Sequence, residues 1–454
     1  MLVCSIFGAS FLIYEAYRTM KENPIIESPA LRKAQLWDVP FPAVTICPEI
    51  QNKLTPFALN RTNWPEFAQK MLPENMSELP ESSKIFFSIV LQNVLLQRND
   101  QDNYDILTKF SPKINVIAAG QQITFFEVND VTLQKTITPL GACVTFNMYD
   151  EKDLLSDGII PSTLDNLPGK KERLWSRDSG FTEGFPVENY TYPFRAFTIN
   201  HGFLMRFNVS DSGQLSQFAS QFTLIIHAPD ELPLYYRHAV FTTTKTEKFN
   251  FIEITPHLVV AEGIENYKPH VRQCYYTHER HLKYYKTYTQ NHCESECFVD
   301  YNLAECGCVP YFMPHFNDTK ICGTDLVCYW AVLHKLFLPE LKDDGTAHAP
   351  VDDCNCLPTC TQLTYSIQMT ELVQSAGDSG NVLQIRNKFP FFTKNVRTEL
   401  HSLSEFFSNI GGSLGLLLGV SMFSIVELIY FCTVRLYFHS KRSGRKRRSE
   451  NFGK

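Results

Sequence analysis

The 454-residue chain lacks most of the short motifs that carry enzyme or nucleotide chemistry. It has no G-x-x-x-x-G-K-[ST] to cradle phosphates, no H-E-x-x-H to hold zinc beside a general base, and no G-x-G-x-x-G for a dinucleotide. No nucleophile–base constellation is visible, which argues against an ectoenzyme. Internal repeats are absent, so a solenoid or propeller array is excluded. No long low-complexity linker divides the chain, and the Gly/Pro-punctuated loops near 156–190 separate strands rather than domains. Positive charge is in deficit, with a formal net charge of −6. What there is of it concentrates at the end: Lys441, Arg442, Arg445, Lys446, Arg447 and Arg448 lie in the last 14 residues. A basic cluster there could signal nucleic acid. Placed just after an apolar run, it follows more simply from the positive-inside rule, with a cytoplasmic C-terminus touching anionic lipid and no nucleic-acid partner.

Cysteine, by contrast, is plentiful. Twelve of 14 cysteines lie between residues 47 and 360, and ten of those fall between Cys274 and Cys360. Sequons for glycosylation stand in the same region, at Asn60, Asn75, Asn189, Asn208 and Asn317. Together they place the middle of the chain in an oxidising, extracellular compartment. The C-x-C pairs Cys306/Cys308 and Cys354/Cys356 could bind zinc, but no zinc-type spacing repeats and no metal site is expected. Spacing alone leaves the pairing open, since eight cysteines already allow about 105 schemes.

Two apolar runs flank this region. From Ile410 to Val434 there are 25 residues and one formal charge, Glu427. At about 1.5 Å per residue a helix of that length crosses the ~30 Å hydrocarbon layer. Gly411, Gly412, Gly415 and Gly419 recur at spacings of three and four, with Ser408 continuing the stripe. Small residues on one face allow close helix packing. A pore-lining helix is the sharper reading, because an ionisable residue inside a membrane costs roughly 2.5–3.5 kcal/mol and faces a partner or water. The first run, ending near Ala16, is short for a span, so the chain is expected to begin part-way into its first membrane helix; a cleaved signal peptide is the alternative.

Between the runs, Val44-Thr45-Ile46 and the segments 141–147, 203–209, 222–227, 363–367 and 382–385 read as strands. The band Phe86, Phe87, Ile89, Val90, Val94, Leu95 and Leu96 reads as helix. In the cysteine block, Asn291-His292-Cys293-Glu294 resembles a capping-box start, putting Cys293 and Cys297 on one helical face. A second helix is expected over 324–338, with Leu326, Trp330, Leu333 and Phe337 on one side. His278 and His281 could titrate between about pH 5 and 8.

Three features in this order then match a family: Phe41-Pro42-Ala43-Val44-Thr45-Ile46-Cys47, the ten-cysteine block, and Gly411 to Ser421 followed by Glu427. The chain resembles the degenerin/epithelial sodium channel/acid-sensing channel family over nearly its whole length, most of all the insect pickpocket branch. The resemblance implies a membrane protein with two transmembrane helices and a large mixed α+β, disulfide-rich ectodomain of palm, finger, knuckle, β-ball and thumb. The implied divisions are 1–17, first transmembrane helix; 18–402, ectodomain with 274–360 as thumb; 403–437, second transmembrane helix; and 438–454, basic cytoplasmic tail. It implies the pairs Cys47–Cys143, Cys274–Cys360, Cys293–Cys356, Cys297–Cys354, Cys306–Cys328 and Cys308–Cys322. It implies a selectivity filter at Gly419, Val420 and Ser421, with Ser408, Asn409, Gly411, Gly412, Gly415 and Glu427 in the pore.

The implied function is a subunit of an amiloride-sensitive, sodium-preferring cation channel of the plasma membrane. It would be a homo- or heterotrimer with both termini cytoplasmic, no cofactor, and Na+ as permeant ion. The alternative is a non-conducting, disulfide-rich surface receptor or regulatory subunit. An ATP-gated trimer is disfavoured because no lysine cluster for phosphate flanks the spans. On an unbroken helix Gly419 and Ser421 lie about 200° apart, so both line one pore only if the helix breaks between them. Three departures from the family stand out. The family's His-Gly gating dipeptide stands before the first span, and the chain is expected to begin too late to include it; His201-Gly202 falls in the ectodomain and is no substitute. Val271 replaces a Trp found in acid-sensing members, which argues against proton gating. Asn409 replaces an Asp, weakening cation attraction at the pore mouth.

Overall fold

The structure, a computed structural model, describes residues 2–22, 24–48, 114–119, 125–127, 133–138, 141–160, 174–182, 192–196, 203–207, 221–234, 239–244, 248–310, 312–322, 326–337, 340–341, 347–348, 350–373, 381–400, 403–419, 421–435 and 437. The expected helical band at 86–96, His201-Gly202 and the sequons at Asn60, Asn75, Asn189 and Asn208 lie outside these residues. Asn317 lies within them and is exposed. The chain divides into two units, one of residues 29–260 and 273–396, the other of 1–28, 261–272 and 397–454.

The larger unit is built on two sheets. The first orders its strands β6-β7-β3-β12-β13, all antiparallel: β3 is Ala43–Pro48, β6 Leu133–Thr138, β7 Gly141–Phe146, β12 Gln221–His227 and β13 Ala239–Thr244. In the second, an eight-stranded sheet, β14 pairs with β18 off the main path and the order continues β14-β19-β11-β4-β5, with β4 Ile114–Ala119, β5 Phe125–Glu127, β11 Phe203–Phe207, β14 Lys248–Ala261, β18 Gln362–Val373 and β19 Asn381–Asn387. Of these pairs β14–β19 is parallel and the others are antiparallel.

Strand periodicity explains the core. Side chains alternate across a strand. Val44 and Ile46, Leu224 and Ile226, and Val144 and Phe146 therefore share one face of the first sheet. They bury against Ile252, Ile254 and Ile385 of the second. The other face of the first sheet is a hydroxyl ladder. Thr45 Oγ1 lies 2.8 Å from Thr145 Oγ1, which donates to Thr136 Oγ1 at 3.1 Å, and Thr45 also meets His227 Nε2 at 3.0 Å. All four are buried, so these bonds satisfy groups that would otherwise be costly inside the protein. The Cys47–Cys143 disulfide lies on this face beside Ile225.

The cysteine block packs two helices, α4 (Gln290–Cys306) and α5 (Leu326–Phe337). Three helices precede them in the chain: the 21-residue α1 (Leu2–Glu22) and the four-residue α2 (Glu151–Leu154) and α3 (Pro269–Arg272). The cap of α4 differs from the sequence expectation. Thr289, extended at φ −133°, is the N-cap, and its hydroxyl accepts from His292 N at 3.0 Å. The helix thus starts two residues earlier than a cap at Asn291 would allow, and Asn291 is free to reach Glu231 instead. Gly307, at φ +66°, ends it by sending its N–H to Leu303 O, a left-handed stop that glycine adopts without penalty. The buried face of α5 is Tyr329, Val332 and Leu336, with Leu333 half-buried. Of the stripe expected, Leu333 is described, and the side chains of Leu326, Trp330 and Phe337 lie outside the described residues; Phe298 and Phe312 both seat against the Tyr329 ring, at 5.4 and 5.7 Å. The disulfides join the pairs Cys274–Cys360, Cys293–Cys356, Cys297–Cys354, Cys306–Cys328 and Cys308–Cys322.

In the smaller unit α1 packs on α6 (Leu403–Leu418), where a Cβ at Gly8 would meet Leu417 Cδ1 at 3.5 Å. α1 runs to Glu22, beyond residue 17. An ion pair of Arg397 with Glu27 (3.0 Å) and a bond from Leu400 N to Pro24 O (2.8 Å) tie the segments after α1 and before α6. Among the described residues no helix is long and apolar enough to cross a membrane. For 403–437 the physical reason is a break.

Candidate functional site

The apolar segment expected as one helix is two. α6 stops at Leu418; Gly419 N still bonds Gly415 O at 3.1 Å, but Gly419 itself takes φ +66°. An L-residue there pays roughly 1–2 kcal/mol, which glycine avoids. The chain restarts at α7 (Met422–Ile429), for which Ser421 is an extended N-cap whose hydroxyl accepts from Ser424 N at 3.3 Å. The two hydroxyls, Ser421 and Ser424, lie 3.2 Å apart. The break falls at 419–421, where a non-helical step is expected if Gly419 and Ser421 are to face the same way. An interrupted helix leaves its last carbonyls without intrahelical partners. Ser408, Asn409 and Glu427 are exposed. Nothing among the described residues lies within 4 Å of a Cβ built on Gly411 or Gly412. Gly411-Gly412-Ser413-Leu414-Gly415 has the G-x-S-x-G spacing, yet Ser413 sits inside α6 and donates to Asn409 O at 2.8 Å. A nucleophile elbow needs a strand-to-helix turn, so it is not one.

A second constellation lies in the larger unit, and no sequence signal announced it. The turn 177–179 joins β9 (Trp175–Ser176) to β10 (Gly180–Phe181) and presents a buried Arg177. Its guanidinium grips Asp230 at 2.7 and 2.8 Å and Glu231 at 2.8 Å. Asn291, in the first turn of α4, donates to the other Glu231 oxygen at 2.7 Å. Burial opposes the Arg177 charge, but the two carboxylates more than offset it and raise its pKa above the ordinary arginine value. Next to Asn291, His292 is fully buried and stacks on Tyr285 at 4.1 Å. Its Nδ1 meets Thr287 O at 3.1 Å, while Nε2 has no hydrogen-bond partner. Burial dominates and lowers the His292 pKa, against the pull of Glu231 and Asp230 and with the push of Arg177. His315 is likewise lowered, again chiefly by burial.

A depressed histidine pKa means that the unfolded chain takes up the proton first. Stability is therefore full above about pH 6.5 and falls as pH drops toward the folded-state value. The thermal midpoint should drop between about pH 7 and pH 5.5, and His292→Phe, which keeps the stack on Tyr285, should flatten that limb. An unchanged limb in the variant would exclude His292 as a contributor. By contrast His278 and His281, the histidines prominent in the sequence, are exposed.

Residues 1–431 match the family model for the amiloride-sensitive sodium channel. The chain belongs to this family. It is 27% identical over 347 residues to Pickpocket protein 28 of Drosophila melanogaster, covering 69% of this chain and 55% of that protein, little more than half its length. It is 22% identical over 468 residues to Sodium channel protein Nach of the same fly, covering 96% and 81%. The Bile acid-sensitive ion channel of Homo sapiens is 23% identical over 178 residues, covering 35% and 34%. The family is one of ion channels, not enzymes, and its channels are plasma-membrane oligomers of related subunits.

Proposed function

We propose that the chain is a subunit of a sodium-preferring, amiloride-blocked cation channel of the plasma membrane. Residues 403–437 line a trimeric pore, and Gly419, Val420 and Ser421 form its constriction. The observation that carries this reading is the break between α6 and α7. It supplies oxygen donors where an unbroken helix would have none. Length and exposure support it. α6 and α7 rise about 24 and 12 Å, together more than the ~30 Å hydrocarbon layer. Large apolar side chains stand exposed along both and along α1, Leu416 and Phe423 at 83% and Phe7 at 78%; such a surface calls for lipid or neighbouring subunits. Ser408 and Asn409 lie at the outer mouth and Glu427 toward the cytoplasmic end, with both termini in the cytoplasm.

The test is accessibility. Among the described cysteines outside disulfides, Cys432 is exposed, so Cys432→Ser provides the background. Gly419→Cys in that background should lose most of its amiloride-sensitive sodium current on exposure to a water-borne thiol reagent, and the background alone should not. A current indifferent to the reagent at position 419 would remove the constriction from this site. The absence of any current from the chain, alone or with related subunits, would favour a non-conducting receptor or regulatory subunit.

A further inference from the structure

The large hydrophobic side chains left exposed in the larger unit are not scattered. Among its described residues they are Leu31, Trp37, Phe389 and Phe391, and two adjoining segments carry all four. β2 (Ala34–Gln35) pairs antiparallel with β20 (Phe391–Phe392). The contact continues on either side, from Ala30 N to Lys394 O at 2.8 Å and from Leu36 N to Pro390 O at 3.2 Å. Leu31 is fully exposed and Phe389 about half so. The charge around these side chains is positive. Segments 30–38 and 386–394 carry Arg32, Lys33, Arg386, Lys388 and Lys394 against a single carboxylate, Asp38. Lys33 Nζ sits 4.0 Å from the centre of the Phe391 ring, and Lys388 Nζ 6.0 Å from that of Phe389. Glu253, on β14, answers Arg386 at 2.9 Å and Lys388 at 3.6 Å. Exposed Arg32 and Lys33 form no ion pair among the described residues.

We propose that this patch lies in the headgroup layer of the plasma membrane, with its basic side chains on phospholipid phosphates and its rings and Leu31 beneath them. Exposed apolar surface of this kind is rarely left to water, and three observations point to lipid as its cover. Aromatic rings beside Lys and Arg make up the composition of a membrane–water interface, where long basic side chains lay their stems along apolar surface and keep their charges at the phosphates. The surplus positive charge matches those phosphates, whereas a second copy meeting the same face would set like charges against each other. Along the chain, the first segment follows α1, which ends at Glu22, and the second precedes α6, which begins at Leu403. The proposal does not depend on the pore reading.

Photocrosslinking tests it without reference to conduction. The full-length chain, with p-benzoylphenylalanine in place of Phe389, would be irradiated in nanodiscs of phosphatidylcholine, with and without phosphatidylglycerol, and its peptides weighed. The expected product is the peptide bearing position 389 with the mass of a phospholipid added. The same probe in place of Thr370, exposed on β18, should give none. Phosphatidylglycerol should raise the yield, and Arg32→Glu combined with Lys33→Glu should lower it about fivefold or more. A crosslink from 389 to a second subunit would overturn the proposal and make the patch a contact between copies. Absence of a lipid product at 389, an equal yield at 370, or a yield indifferent to both lipid charge and the two reversals would overturn it as well. If the reversed variant does not accumulate as folded protein, the dependence on phosphatidylglycerol decides the role of charge. A chain that forms the lipid adduct and carries no current would retain this site and lose the channel reading; one that conducts without forming the adduct would do the reverse.

Discussion

Arg177→Met should destabilise the folded chain by about 3–5 kcal/mol, the usual cost of breaking a buried ion pair from one side. The guanidinium is 3% exposed and makes three hydrogen bonds to two carboxylates. Removing it leaves Asp230 and Glu231 adjacent, buried and like-charged, with Asn291 as the remaining named donor to Glu231. One carboxylate must then be protonated or find water. The loss should therefore be greatest at neutral pH and shrink as the carboxylates take up protons on acidification. Arg177→Lys should rescue only part, since an ammonium cannot hold Asp230 through two parallel bonds. Neutralising all three positions, with Met, Asn and Gln, should recover most of it, because the penalty lies in the unpaired charges. Thermal and denaturant midpoints of the purified chain would measure this. A loss under about 1 kcal/mol for Arg177→Met would mean that the cluster is wetter and weaker than its geometry indicates.

How legible was this in the amino-acid order? Strands with clean alternation, such as Val44-Thr45-Ile46 and 222–227, could be read because one face of each is buried and apolar. The break at Gly419 could be read too. The resemblance puts Gly419 and Ser421 in one filter, and on an unbroken helix the two would lie about 200° apart. The Arg177 cluster could not. Asp230-Glu231 looks like a solvated turn until an arginine 53 residues away folds over it, and nothing in either segment encodes that meeting. The cap of α4 failed for a related reason. Asn291 and Glu294 have capping-box spacing, but Glu231 competes for the Asn291 side chain and Thr289 is already extended. Tertiary partners overrode a sound local signal. Cysteine pairing likewise came from resemblance and not from spacing, which left it open.

The second large effect concerns one of those pairs. Replacing Cys47 and Cys143 together by alanine should cost about 4–5 kcal/mol, against about 3 kcal/mol for Cys308 and Cys322. The difference arises in the unfolded chain. The first pair is separated by 96 residues and the second by 14, and the entropy removed by a cross-link grows with the logarithm of the loop. The folded state gives no reason to reverse this order. Cys47 and Cys143 lie on neighbouring antiparallel strands, where the register pairs Ile46 with Val144 and puts the two cysteines opposite each other. The sheet therefore holds them together even when reduced, and both sulfurs lie near the Thr138 hydroxyl, buried beside Ile225. Loss of the bridge should consequently leave the native strand pairing intact at low temperature while lowering the midpoint of unfolding. A serine pair should do worse than alanine, since two hydroxyls would be buried with Thr138 as their one evident partner. Finding the short-loop pair more costly to remove than the long-loop pair would show that local packing around Cys308, and not chain entropy, sets the value of these cross-links.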